Sequence, residues 1–319
     1  MISLSPRAAT LLALALIILL APALFPSSYY YRVGALIFIN AVAATGLVIL
    51  VGYAGQVSLG HAGFSGIGAY ACALGPVHLG LPPALCVVLG AAVSALLAWL
   101  VGRPILRLKA HYLAVATLGL GILIWMVISN EGWLTGGPDG MPVESLGLRS
   151  LLKSFGLKPS GSQLWYWISG AVLMLGAFVA LNLYNSPAGR ALRSLHDSEV
   201  AAGTIGIHVA QMKLVAFVTS AVYASVAGSM VALMNGFITP DVAGFLHSVE
   251  LLTMTVLGGA SSVLGAVVGA TILTALPQVL TVFEDFEHMV LGLIMMLVMI
   301  FLREGLVPSL ARRLRGRAS

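Results

Sequence analysis

Few residues in this 319-residue chain have the means to do chemistry, because only 8% are charged and 59% are hydrophobic. The densest polar set inside an apolar context is Gly52–Tyr70, GYAGQVSLGHAGFSGIGAY, where Gln56, Ser58, His61 and Ser65 stand among glycines. Glycine tolerates unusual backbone angles, and small polar side chains can satisfy the backbone groups that a helix break sets free. Broken helices line paths and binding sites in transporters, which makes Gly55, Gln56, Ser58, Gly60, His61 and Ser65 candidates for a translocation path. Close helix packing beside a cytoplasmic turn would use the same residues.

His247 and Glu250 form a second set, one helical turn apart in an apolar run. Ionisable groups inside a membrane are often functional. The plainer expectation is a position at the span boundary, with both side chains reaching toward the surface. The other spans offer them no charged partner, which argues against a proton relay.

The third set is Ser186–Lys213, SPAGRALRSLHDSEVAAGTIGIHVAQMK. Ser186 before Pro187 is a helix start, with the serine capping and the proline in the first turn. Ala188, Ala191, Leu192, Leu195 and Ala202 recur at helical spacing, with Arg190, Arg193, Ser194 and Asp197 on the other side. This predicts one amphipathic helix ended by Gly203 and Gly206, lying along the bilayer and offering a polar face to a partner. A plain connecting loop is the alternative.

No GxxxxGK[ST], HExxH, GxSxG or CxxC sequence is present. The chain therefore supplies neither a Walker-type phosphate cradle nor a familiar catalytic or metal-ligating set. Cys72 and Cys86 lie in apolar runs without zinc spacing and read as packing residues. The expectation is a chain that is no enzyme and holds no metal or cofactor of its own.

These residues must be held by membrane spans. A mean hydropathy of +1.02 and repeated apolar runs define an all-α polytopic membrane protein and exclude a soluble core. The pI of about 9.4 does not indicate nucleic acid, since no soluble face interleaves basic and aromatic residues. Ten runs are expected to cross: 8–25, 33–51, 60–80, 83–101, 112–130, 164–183, 214–234, 242–259, 263–282 and 289–302. The run at 8–25 is longer than a signal-peptide core and is expected to remain as a span. With both termini cytoplasmic, twelve of the sixteen Lys and Arg fall inside and only Arg32, Arg149, Lys153 and Lys158 outside. The chain is then one transmembrane domain over 1–319, with a cytoplasmic loop at 184–213 and an external loop at 131–163. The pair 242–259 and 263–282 is either a tight hairpin or contains a re-entrant turn. Lys109 and Arg107 anchor the inner end of the fifth span, and Gly119 and Gly121 near its middle are expected to permit close helix approach. Leu134–Pro142, LTGGPDGMP, is a turn-rich external segment suited to a mouth or docking surface.

GYAGQVSLGHAGFSGIGAY, LKAHYLAVATLGLG, LTGGPDGMP and SPAGRALRSLHDSEVAAGTIGI, in this order across about 45–270, resemble the inner-membrane permease subunit of branched-chain amino acid ABC transporters, the LivM type. The resemblance implies one half of a heterodimeric permease in a bacterial-type inner membrane. Its implied partners are a second homologous permease, two cytoplasmic ATPase subunits that hold ATP and Mg, and an external solute-binding protein. The cytoplasmic segment is similar to the EAA-type coupling loop of ABC importers. Glu199, Ala201, Ala202 and Gly206 match its E-x-A-A-x3-G pattern, while the Ile-x-Leu-Pro that follows in other importers is absent. On this resemblance Arg190, Arg193, Asp197, Glu199, Ala201, Ala202 and Gly206 are the ATPase-coupling candidates. A permease for urea or amides is the nearest alternative. An ion-coupled secondary carrier would need ion-coupling side chains in its spans, which the sequence hardly supplies.

Overall fold

The computed structural model describes residues 6–108, 110–147 and 160–279, with 292, 293, 296 and 305–309. Helices dominate, as backbone groups in hydrocarbon require. The first half comprises α1 (Pro6–Leu20), α2 (Ser28–Leu47), α3 (His61–Leu79), α4 (Pro83–Ile105), α5 (Ala110–Asn130) and the single turn α6 (Gly132–Thr135). The second comprises α7 (Gly161–Asn185), α8 (Pro187–Asp197), α9 (Glu199–Thr204), α10 (Val209–Asn235), α11 (Phe245–Gly258) and α12 (Val263–Val279). Among the described residues six runs are long and apolar enough to cross a membrane: Arg7–Leu24, Ser28–Tyr53, Pro83–Ile105, Tyr112–Asn130, Gly161–Asn185 and Val209–Asn235. The expected span at 289–302 and the basic tail at Arg312–Arg317 lie outside the described residues.

α2 and α10 form the centre. α10 packs on α2, α3 and α4, and α2 packs on α7, α11 and α12. Small residues set the spacing, as they do where helices associate without a hydrophobic driving force. A Cβ on Gly68 would overlap the carbonyl of Ser225, and one on Gly228 would overlap that of Ser65. The Ser229 hydroxyl donates to the Gly68 carbonyl at 2.9 Å across the same crossing. Gly121 approaches Gly60 closely, with a Cβ there only 2.8 Å from the Gly60 Cα, whereas Gly119 faces open space. The expected close approach thus belongs to Gly121 and not to Gly119, because the two lie on different faces of α5.

Two helices are interrupted. α2 runs on through a wider π-type turn at Val48–Tyr53, and residues 54–60 then continue without helix until α3 starts at His61. Such turns concentrate at functional sites. The second interruption follows α10, where Phe237–Ile238 pairs antiparallel with Met141–Pro142 and a 3-10 turn occupies Pro240–Ala243. Ala243 sits against Gly66, whose near neighbour Gly68 meets Ser225. Ser225 lies ten residues before the end of α10 at Asn235, or about 15 Å along the helix axis. The chain therefore dips back into the bundle before α11 begins. With 14 residues, about 21 Å, α11 covers only part of a hydrocarbon core of about 30 Å.

The α-helical part of the run expected at 242–259 thus begins only at Phe245. The polar backbone of 240–244 is admitted to the bundle because it packs on α3 and α5 and so escapes lipid. The 17-residue α12 follows directly, and its turn with α11 rests on Gly52, whose Cβ would overlap the Ala260 carbonyl. The stretch 134–142 adds the only strand pairing among the described residues. The loop at 186–208 also differs from the single helix expected. It is two helices, parted at Ser198, whose hydroxyl accepts from Ala201 N at 3.2 Å and caps the second.

Candidate functional site

The first break is stitched by side chains from three other helices. Leu59 N donates to Thr117 Oγ1 on α5 at 3.2 Å, and Ala62 N donates to Ser248 Oγ on α11 at 3.0 Å. His61 is fully buried between hydroxyls, with Nδ1 2.8 Å from Ser58 Oγ and Nε2 2.7 Å from Ser220 Oγ of α10. A neutral imidazole donates at one nitrogen and accepts at the other, and a hydroxyl serves either role. Phe64 and Phe217 pack edge-on around the ring. Leu59 N, Ala62 N and His61 Nε2 thus find partners on elements distant in sequence, while Gln56 Oε1 and Ser65 Oγ are buried without a hydrogen-bond partner among the described residues.

Of the six path candidates, Gln56, Ser58, Gly60, His61 and Ser65 are buried and Gly55 is partly so. None lines the apolar cleft of about 680 Å³ between α3, α4 and α5, whose wall includes Ile67, Leu74, Leu97 and Leu123. They form the seam between helices within this one chain. Gly55 adopts a positive φ of 66° and lets His196 of α8 come within 3.1 Å of where a Cβ would stand.

The loop between α7 and α10 closes against this seam. Ser186 caps α8 by accepting from Gly189 N at 3.1 Å, and Leu192, Leu195 and Ala202 are buried as the helical spacing predicts. Arg193 turns inward. Its Nη1 donates to the Tyr184 carbonyl at 3.1 Å and its guanidinium lies 4.0 Å over the Tyr184 ring, which in turn packs on Tyr53. Glu199 also turns inward, its Oε1 2.6 Å from Lys213 Nζ and 3.4 Å from Gln56 Nε2. The Lys213 side chain is 4% exposed and that of Glu199 45%. A buried ammonium needs a partner of this kind, since an unpaired charge in that setting is costly.

The remaining coupling candidates point the other way. Arg190 and Asp197 are exposed and make no side-chain hydrogen bond or ion pair among the described residues. Ala201 and Gly206 are exposed, and Val200 and Ile205 are 80% and 71% exposed. The loop therefore has an inner polar hinge, Arg193 and Glu199, and an outer face that joins two charges to two bare aliphatic side chains. Lys213, Tyr184, Thr117, Ser220 and Ser248 complete the site and were not singled out from sequence. Lys213 carried one usable signal, as a lone cation at the mouth of an apolar run.

Interrupted helices inside a polytopic bundle, tied to a capped loop between α7 and α10, fit a membrane permease. Comparison with known proteins gives the family: the description "Branched-chain amino acid transport system / permease component" matches residues 30–299, and the chain belongs to that family. It is 33% identical over 295 residues to the high-affinity branched-chain amino acid transport system permease protein LivM of Salmonella typhimurium, covering 87% of this chain and 69% of the relative. The Escherichia coli LivM is 32% identical over 301 residues, covering 89% of this chain and 71% of the relative. The autoinducer 2 import system permease protein LsrC of Yersinia enterocolitica is 27% identical over 231 residues, 66% of this chain and 60% of that one.

Proposed function

We propose that this chain is one permease half of a heterodimeric, ATP-driven importer that carries branched-chain amino acids across a bacterial-type inner membrane. ATP and Mg act on two separate ATPase subunits, and an external binding protein delivers the solute. Membership of the permease family and identity of 32–33% with the two LivM proteins support the cargo and the partners. The ten-span topology with cytoplasmic termini rests on the charge bias, and between residues 32 and 260 also on which segments meet. Gly55 meets His196 and Gly52 meets Ala260 at the expected inner side, while Arg32 bonds Asn235 and Met141 pairs with Ile238 at the outer side.

The observation that carries the mechanism is the bond from Gln56 to Glu199, which joins the cytoplasmic loop to the first helix break. ATPase closure presses on the exposed face of α8 and α9. The buried contacts of Leu192 and Leu195, with the bonds of Glu199, pass that displacement to residues 54–60, and rigid movement of the attached spans alternates access to the path. The test is ATP hydrolysis by the reconstituted complex with its binding protein. Leucine, isoleucine and valine are expected to stimulate it. Stimulation by urea or acetamide alone would overturn the cargo, and solute uptake without any ATPase subunit would overturn the coupling.

A further inference from the structure

His247 and Glu250 lie far from the expected boundary position. Thr255 Oγ1 contacts the Ala44 carbonyl at 3.4 Å and Ala260 meets Gly52, so α11 and α2 run side by side in the same direction. Glu250 stands five residues, about 7.5 Å, before Thr255 and hence level with about residue 40 of α2. That is the middle of the Ser28–Tyr53 span. The Ser248 bond to Ala62 places the same turn of α11 beside the first helix break.

At this depth the Glu250 side chain is 50% exposed and that of His247 25%. His247 Nδ1 lies 3.3 Å from Glu250 Oε2, and Glu250 Oε1 has no partner among the described residues. A carboxylate facing acyl chains is strongly disfavoured, whereas one facing a water-filled path is not. Leu246, one turn earlier on the same face, is 65% exposed. The face thus offers an acceptor for a cation and, one turn away, an aliphatic surface. A branched-chain amino acid has an ammonium and an aliphatic side chain at comparable separation.

Resting on the cargo reading above, we infer that this face of α11 lines the translocation path, with Glu250 Oε1 receiving the cargo's ammonium, His247 orienting the carboxylate and Leu246 meeting the aliphatic side chain. Charge complementarity and mid-span depth both point to it.

The test uses the full complex in membrane vesicles. Glu250→Cys is expected to react with a cationic, water-soluble thiol reagent, against a low background because Cys72 and Cys86 are buried, and leucine is expected to protect it. No reaction, or reaction indifferent to leucine, overturns the site. In uptake, Glu250→Gln is expected to raise the half-saturating leucine concentration about tenfold or more, as loss of a charged partner does, and Glu250→Asp to restore most of it. An unchanged value in Glu250→Gln overturns the ammonium role. If the wild-type complex takes up no branched-chain amino acid, the cargo reading and the ammonium role fall together, and the reagent alone still decides whether the pair faces water.

Discussion

Glu199 Oε1 and Lys213 Nζ lie 2.6 Å apart, one on a half-exposed carboxylate and the other on an ammonium that the bundle has almost closed over. Removing the carboxylate alone strands the buried charge. Glu199→Gln is expected to cost about 1–2 kcal/mol, less than the loss of a fully buried pair because water reaches the Glu199 side. Adding Lys213→Met to it should return stability close to wild type, since no charge is then left unpaired. Thermal unfolding of the detergent-purified chain reads both, and equal melting temperatures for the single and double variants would count against the pairing.

Gly121 and Gly119 are two residues apart on α5 yet meet different surroundings. A Cβ at Gly121 presses on the Gly60 Cα at 2.8 Å, and one at Gly119 meets nothing within 4 Å. Gly121→Ala is expected to destabilise by about 1–3 kcal/mol through overpacking against backbone. Gly119→Ala should be neutral or slightly stabilising in a helix interior. Comparing the two unfolding curves checks whether α5 supports the first break as described.

Ser248 reaches across from α11 to Ala62 N at 3.0 Å, so it caps a helix to which it does not belong. Ser248→Ala is expected to cost about 1–2 kcal/mol. It should also raise amide hydrogen exchange at the start of α3 more than at its end. Uniform exchange along α3 in the variant would show that the cap is not what holds the break.

The two faces of the α8–α9 loop should separate under mutation. Val200→Glu and Ile205→Glu alter side chains that are 80% and 71% exposed, so the fold is expected to survive while co-purification of the ATPase subunits falls. Arg193→Lys should do the reverse. It loses the planar stack on Tyr184 and is expected to cost about 1 kcal/mol of stability, with the ATPase still bound. A pull-down paired with a melting curve distinguishes the patterns.

Much of this was legible in the sequence because it rests on local rules. Ser186–Pro187 marks the start of α8, the spacing of Leu192 and Leu195 gives its buried side, and the glycines around Gln56 mark a helix break. What escaped depends on contacts between distant segments. Composition alone does not separate Gly119 from Gly121, or show that Glu199 turns toward Lys213 while Asp197 faces out. An apolar run at 242–259 reads as a full span whether or not its first residues are helical. Only packing of Ala243 on Gly66 reveals that α11 starts part-way through the bundle and carries Glu250 to mid-depth.

The central claim is that Glu199, through Gln56 and Lys213, conveys ATPase movement to the first helix break. It is tested most directly by the number of solute molecules imported per ATP hydrolysed in reconstituted complexes. Glu199→Gln and Lys213→Met should still bind the ATPases and hydrolyse ATP, yet lose about tenfold in that ratio, equivalent to about 1.4 kcal/mol of coupling. The charge exchange Glu199→Lys with Lys213→Glu should recover most of it, because Gln56 Oε1 is buried without a partner and can turn to accept from a lysine. A wild-type ratio in both single variants would contradict the account.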